Sequence, residues 1–91
     1  MKYQGKRVLV TGGSRGIGFE ICKIFLEQGA DVLAVSRNSC NLTTARDLLP
    51  GLTIFTCDVS LSEDIDRLVG FIDRSWNSVD ILVNNAGIQL P

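Results

Sequence analysis

The run Thr11-Gly12-Gly13-Ser14-Arg15-Gly16-Ile17-Gly18 directly follows the apolar segment Val8-Leu9-Val10. Glycines at this spacing, between a short hydrophobic strand and an amphipathic helix, leave few folds open. The chain must leave a strand, turn tightly and enter a helix with a bare N-terminus. Gly12 permits the turn, Gly16 lets the backbone approach a ligand, and Gly18 lets helix and strand pack closely. The free N–H groups of the first turn, Gly16-Ile17-Gly18, and the helix dipole favour an anion such as a pyrophosphate. Ser14 and Arg15, inside the loop, belong to the same candidate site. A chance cluster of turn glycines is the plainer reading; the strand before it and the helix after it argue against that.

The rest of the chain repeats the strand–helix alternation. Arg7 to Thr11 reads as the first strand. Gly16 to Gln28 reads as a helix with Ile17, Ile21, Ile24 and Phe25 on one stripe, ended by Gly29. Asp31 to Ser36 reads as the second strand, and its continuous Val32-Leu33-Ala34-Val35 suits a parallel sheet covered on both faces. Asn41 to Leu49 reads as a short helix stopped by Pro50-Gly51, and Leu52 to Cys57 as the third strand. Ser60 and Glu63 have capping-box spacing. A third helix follows, with Ile65, Leu68, Val69, Ile72 and Trp76 on one stripe and Glu63, Asp64 and Asp66 in its first turn. Val79 to Asn84 reads as the fourth strand, leading into Asn85-Ala86-Gly87. The expected fold is an α/β half-Rossmann unit, residues 1–91, with a parallel sheet in the order 3-2-1-4 and a ligand crevice between strands 1 and 4.

Composition removes several function classes. The 91 residues carry a net charge of −1 and no His, which argues against a non-specific nucleic-acid binder. Three cysteines, Cys22, Cys40 and Cys57, without CxxC spacing read as reduced thiols, and a zinc site has no ligand set. The opening Met1-Lys2-Tyr3-Gln4-Gly5-Lys6-Arg7 has no apolar core of a secretion signal, and no apolar run approaches the ~20 residues of a membrane span. A cytoplasmic setting is expected.

The glycine loop is Thr-Gly-x-x-x-Gly-x-Gly rather than GxGxxG. With Gly5-Lys6-Arg7-Val8-Leu9-Val10 before it, Asp58-Val59 after the third strand, and Val79-Asp80-Ile81-Leu82-Val83 leading into Asn84-Asn85-Ala86-Gly87, the chain resembles the short-chain dehydrogenase/reductase superfamily from about Gly5 to Ile88. The resemblance implies that Asp58 accepts a hydrogen bond from the adenine amino group and that the Val59 backbone helps fix the ring. It also implies that Asn85, Ala86 and Gly87 stand beside the nicotinamide ribose, with the asparagines bracing the strand end. A polar-turn role for Asp58 stays open beside this. In the family a Tyr acts as general acid/base, a Lys four residues later lowers its pKa, and a Ser polarises the substrate carbonyl. The only tyrosine here is Tyr3 and no Tyr-x-x-x-Lys occurs, so no residue is nominated as catalytic.

The end of the second strand separates NADP from NAD. An acid there would bind a ribose 2′-OH; a basic residue accommodates a 2′-phosphate. The chain has Ser36-Arg37-Asn38, and Arg37, with Arg15 as a second cation, favours NADP. Three functions remain open: a stand-alone NADP(H)-binding module, part of an NADP-dependent oxidoreductase completed by another chain, and an oligomeric interaction protein that keeps the fold. The apolar edge Ile81-Leu82-Val83 is expected to pair with a second copy.

Overall fold

The computed structural model describes residues 1–85; Ala86 and Gly87 lie outside the described residues. The elements are β1 (Arg7–Thr11), α1 (Gly16–Glu27), β2 (Asp31–Ser36), α2 (Ser39–Leu48), β3 (Thr53–Thr56), α3 (Ser62–Ser75) and β4 (Ile81–Asn84). All pairings are parallel and the sheet order is β3-β2-β1-β4, the order expected from the strand–helix alternation. In register, Val8 faces Val32 on β2 and Ile81 on β4, while Val10 faces Ala34 and Val83.

Period-2 alternation divides the apolar strands between two cores. Val8, Val10, Val32 and Ala34 pack with Cys22 of α1 and with Leu42 and Ala45 of α2. Leu9, Leu33 and Val35 face the opposite side and pack with Leu68 and Trp76 around α3. Every residue from Val32 to Val35 is buried, as a central strand covered on both faces requires. Burial of this kind, at about 25 cal/mol per Å² of apolar surface, is the main force holding the layers together.

Several local expectations are corrected. On α1, Ile21 and Phe25 pack into the core, but Ile17 and Ile24 are exposed: α1 presents a narrower stripe than its apolar residues suggest. On α3 the same holds for Val69, which is half exposed. The Ser60–Glu63 capping box does not form. The helix starts at Ser62 with Leu61 at its N-cap, and the Ser60 hydroxyl donates backwards to Asp58 instead. Asp66 therefore falls in the second turn, leaving Glu63 and Asp64 in the first. α2 starts two residues earlier than its apolar pattern suggests, because Asn38 caps it: Asn38 Oδ1 accepts from Asn41 N at 2.9 Å. α1 ends as expected at Gly29, where Ala30 N donates to Phe25 O and Gly29 N to Leu26 O, the two bonds of a Schellman turn.

Candidate functional site

The C-terminal ends of β1, β2, β3 and β4 open onto one cleft of about 710 Å³, a size typical of small-molecule sites. It lies where the strand order reverses across β1, the usual ligand position in an open α/β sheet. Of the residues singled out by sequence, Gly12, Ser14, Arg15, Ser36, Arg37, Asn38, Asp58, Val59 and Asn85 line it. Gly16, Ile17 and Gly18 do not: they form the first turn of α1, and Gly16 lines a smaller adjoining hollow with Ser14, Arg15 and Asn41, which also line the cleft.

The glycine loop is built by backbone demands. Gly12 has φ 70 and Gly16 φ 62, both in the left-handed region that side chains disfavour. Gly18 is needed for space. A Cβ there would run into the Gly12 carbonyl and stand 2.8 Å from Asn85 Nδ2. Gly13 is needed too, since its Cβ would lie 2.9 Å from Ala34 Cβ and 3.0 Å from Cys22 Sγ. Among the described residues no side chain caps α1. Its first-turn N–H groups are therefore left for an acceptor from outside the helix, in contrast to the Asn38-capped α2.

The fourth strand is tied to this loop through Thr11. Its hydroxyl oxygen lies 3.1 Å from Asn84 Oδ1 and accepts from Asn85 N at 3.0 Å, while Asn85 Nδ2 donates to Gly12 O at 3.3 Å. The asparagine side chains thus brace the strand end, and Asn85 also closes the Gly12 turn.

Arg15 and Arg37, both exposed, flank the cleft. Among the described residues the ion pairs are Arg7–Asp31 and Arg67–Asp64, so neither cleft arginine is in direct ion-pair contact with a carboxylate, although Arg37 acts on Asp58 through space. Ser36 Oγ accepts from Asn38 N at 3.2 Å, which leaves its hydroxyl proton available. Asp58 Oδ1 accepts from Ser60 Oγ at 2.6 Å and from Ser60 N at 3.0 Å. These two bonds hold its carboxyl below the usual aspartate range, and the Arg37 charge adds a smaller push the same way. Asp58 is thus a polar-turn residue that also lines the cleft.

Sequence reasoning missed Asn41, Cys57 and Ser60, which also line the cleft. Two of them carried a signal. Asn41 stands three residues after a good N-cap, and Ser60 two residues after an aspartate, the spacing of an Asx turn. The two buried thiols, Cys22 and Cys57, are not activated nucleophiles. Burial pushes Cys22 up to about 12 and also raises Cys57, while Cys40 is exposed; all three are free. No cluster of metal-ligating side chains occurs among the described residues, and none of the described helices is long and apolar enough to cross a membrane.

The short chain dehydrogenase family model matches residues 6–91. The chain is 40% identical over 90 residues to an L-fucose dehydrogenase from Bos taurus, covering 99% of this chain and 33% of that protein. It is 46% identical over 89 residues to a 3-oxoacyl-(acyl-carrier-protein) reductase from Chlamydia pneumoniae, covering 92% and 36%. An actinorhodin polyketide ketoreductase variant crystallised with NADPH superposes with a TM-score of 0.85 at 34% identity, over 91% of this chain and 33% of that one. The chain thus spans about a third of the length of these relatives. Sheet order, glycine loop and family match agree, and the chain belongs to the short-chain dehydrogenase family.

Proposed function

We propose that this chain binds NADP(H) in the cleft, in preference to NAD(H), and forms the cofactor-holding part of an NADP-dependent oxidoreductase. The observation that carries the reading is the pair Arg15 and Arg37, neither in direct ion-pair contact with a carboxylate among the described residues, beside a helix N-terminus that no described side chain caps. The donors suit the ligand. α1 offers N–H groups to a pyrophosphate, and Arg37, Arg15 and the Ser36 hydroxyl offer charge and donors to a 2′-phosphate. Asp58 offers an acceptor to the adenine amino group, with the Val59 backbone beside the ring. Asn85, Ala86 and Gly87 are assigned to the nicotinamide ribose.

When bound, the cofactor would supply a hydride as NADPH or accept one as NADP+. This sequence holds and orients it, and contributes no proton-transfer pair: its only tyrosine is Tyr3, and Tyr-x-x-x-Lys is absent. The chemistry is assigned to residues outside these 91, in the same protein or in a partner chain. The free thiols suit a cytoplasmic setting. A second, compatible reading is self-association through β4. It is an outer strand among the described residues, and its Leu82 is 62% exposed.

The 2′-phosphate contact is tested with 2′,5′-ADP against 5′-ADP. The protein should bind 2′,5′-ADP about tenfold more tightly, one charge-assisted contact at a solvent-exposed site, and Arg37→Ala should erase most of that ratio. Equal affinities in the unaltered protein would refute the preference.

A further inference from the structure

The turn between β3 and α3 contains a second set of bonds, behind the residues that line the cleft. The Asp58 backbone N–H donates to Asp64 Oδ2 at 2.9 Å. The other oxygen, Asp64 Oδ1, lies 3.6 Å from Arg67 Nη2, and that nitrogen also donates to Thr56 O at 3.1 Å. The Arg67 guanidinium sits over the Phe55 ring, 5.3 Å from its centroid. The first two turns of α3 thus grip the end of β3 at two points, the Thr56 carbonyl and the Asp58 amide. Glu63 would serve the helix dipole as well as Asp64 does, but among the described residues only Asp64 reaches back to the turn. Asp58 itself commits Oδ1 to Ser60, and no described residue bonds its Oδ2.

We propose that Asp64 is a positioning residue for base recognition: by fixing the Asp58 amide, it holds the uncommitted Asp58 Oδ2 in place to accept the 6-amino group of an adenine. This rests on the reading that the adenosine half of NADP(H) occupies the cleft. Ser60 fixes the carboxylate and Asp64 fixes the backbone that carries it. Neither needs to touch the ligand.

The test compares NADPH with its deaminated analogue, in which hypoxanthine replaces adenine and a carbonyl replaces the amino donor. The unaltered protein should prefer NADPH by roughly tenfold or more, as for a hydrogen bond to a charged acceptor. In Asp64→Ala that ratio should collapse towards one, through loss of NADPH affinity while the analogue changes little. Asp64→Asn retains a side-chain oxygen for the Asp58 amide and should keep the ratio. Should Asp64→Ala not fold, Asp64→Glu carries the same test: it keeps the charge but displaces the acceptor by one methylene, and should also lower the ratio. A merely structural role would weaken both ligands equally; an unchanged ratio in a folded Asp64→Ala or Asp64→Glu overturns the proposal. A ratio of one in the unaltered protein overturns the Asp58–adenine contact and this inference with it. Binding of neither dinucleotide overturns the cofactor reading itself.

Discussion

Asp58 carries two jobs on one carboxylate. Oδ1 closes the turn onto Ser60, and the lowered pKa is the signature of that contact. In Ser60→Ala, carboxyl titration followed by NMR should show Asp58 moving up towards its ordinary value of 3.8, with Arg37→Ala giving a smaller rise. The sign for stability follows from the lowered folded value. The contribution is complete above pH 3.8, the unfolded value, and is lost as the pH falls through the lower folded one. No movement in Ser60→Ala would mean that the Ser60 hydroxyl does not bond the carboxylate in solution. At this scale the sequence was legible where residue type alone decides the backbone, as for Gly12, whose turn has a φ of 70. Asp64 was not legible. Its bond to the Asp58 amide exists only because the helix starts at Ser62 and swings that carboxylate back over the turn.

The strand–loop–helix unit from Arg7 to Glu27 was the most legible element, because its hydrophobic pattern and its glycines point to the same geometry. Its strictest demand is at Gly18, where a methyl group meets the Gly12 carbonyl and Asn85, neither of which is free to yield. Gly18→Ala should cost about 2 kcal/mol and lower the melting temperature by roughly 10 °C. Gly16→Ala, which meets open space but keeps a φ of 62, should cost about 1 kcal/mol. Thermal melts of the two variants check the order; equal losses would mean that packing at Gly18 is looser than the structure shows. Element boundaries were less legible. Asn38 and Ser60 are both short polar residues able to cap, and which of them starts a helix depends on competing partners: Asn41 N takes the first, Asp58 the second. The exposed Ile17, Ile24 and Val69 show the same limit, since apolar residues at helical spacing mark a stripe but not its width.

At the level of the whole molecule, parallel strands bring four strand ends to one edge, and the cleft follows from that order without any further instruction from sequence. The opposite faces of the sheet are filled unevenly: β2 is sealed on both, while β4 keeps Leu82 largely exposed. If β4 mediates self-association, light scattering should show a concentration-dependent mass that Leu82→Lys reduces to the monomer, because a lysine on an edge strand opposes pairing. A monomer at every concentration would remove that reading and leave cofactor binding untouched. The central claim is tested most directly by calorimetric titration of the protein with NADPH and, separately, NADH. The account predicts saturable binding in the micromolar to millimolar range, about −4 to −8 kcal/mol, tighter for NADPH and weakened by Arg37→Ala. No binding of either dinucleotide up to millimolar concentration, from protein shown to be folded, would contradict it.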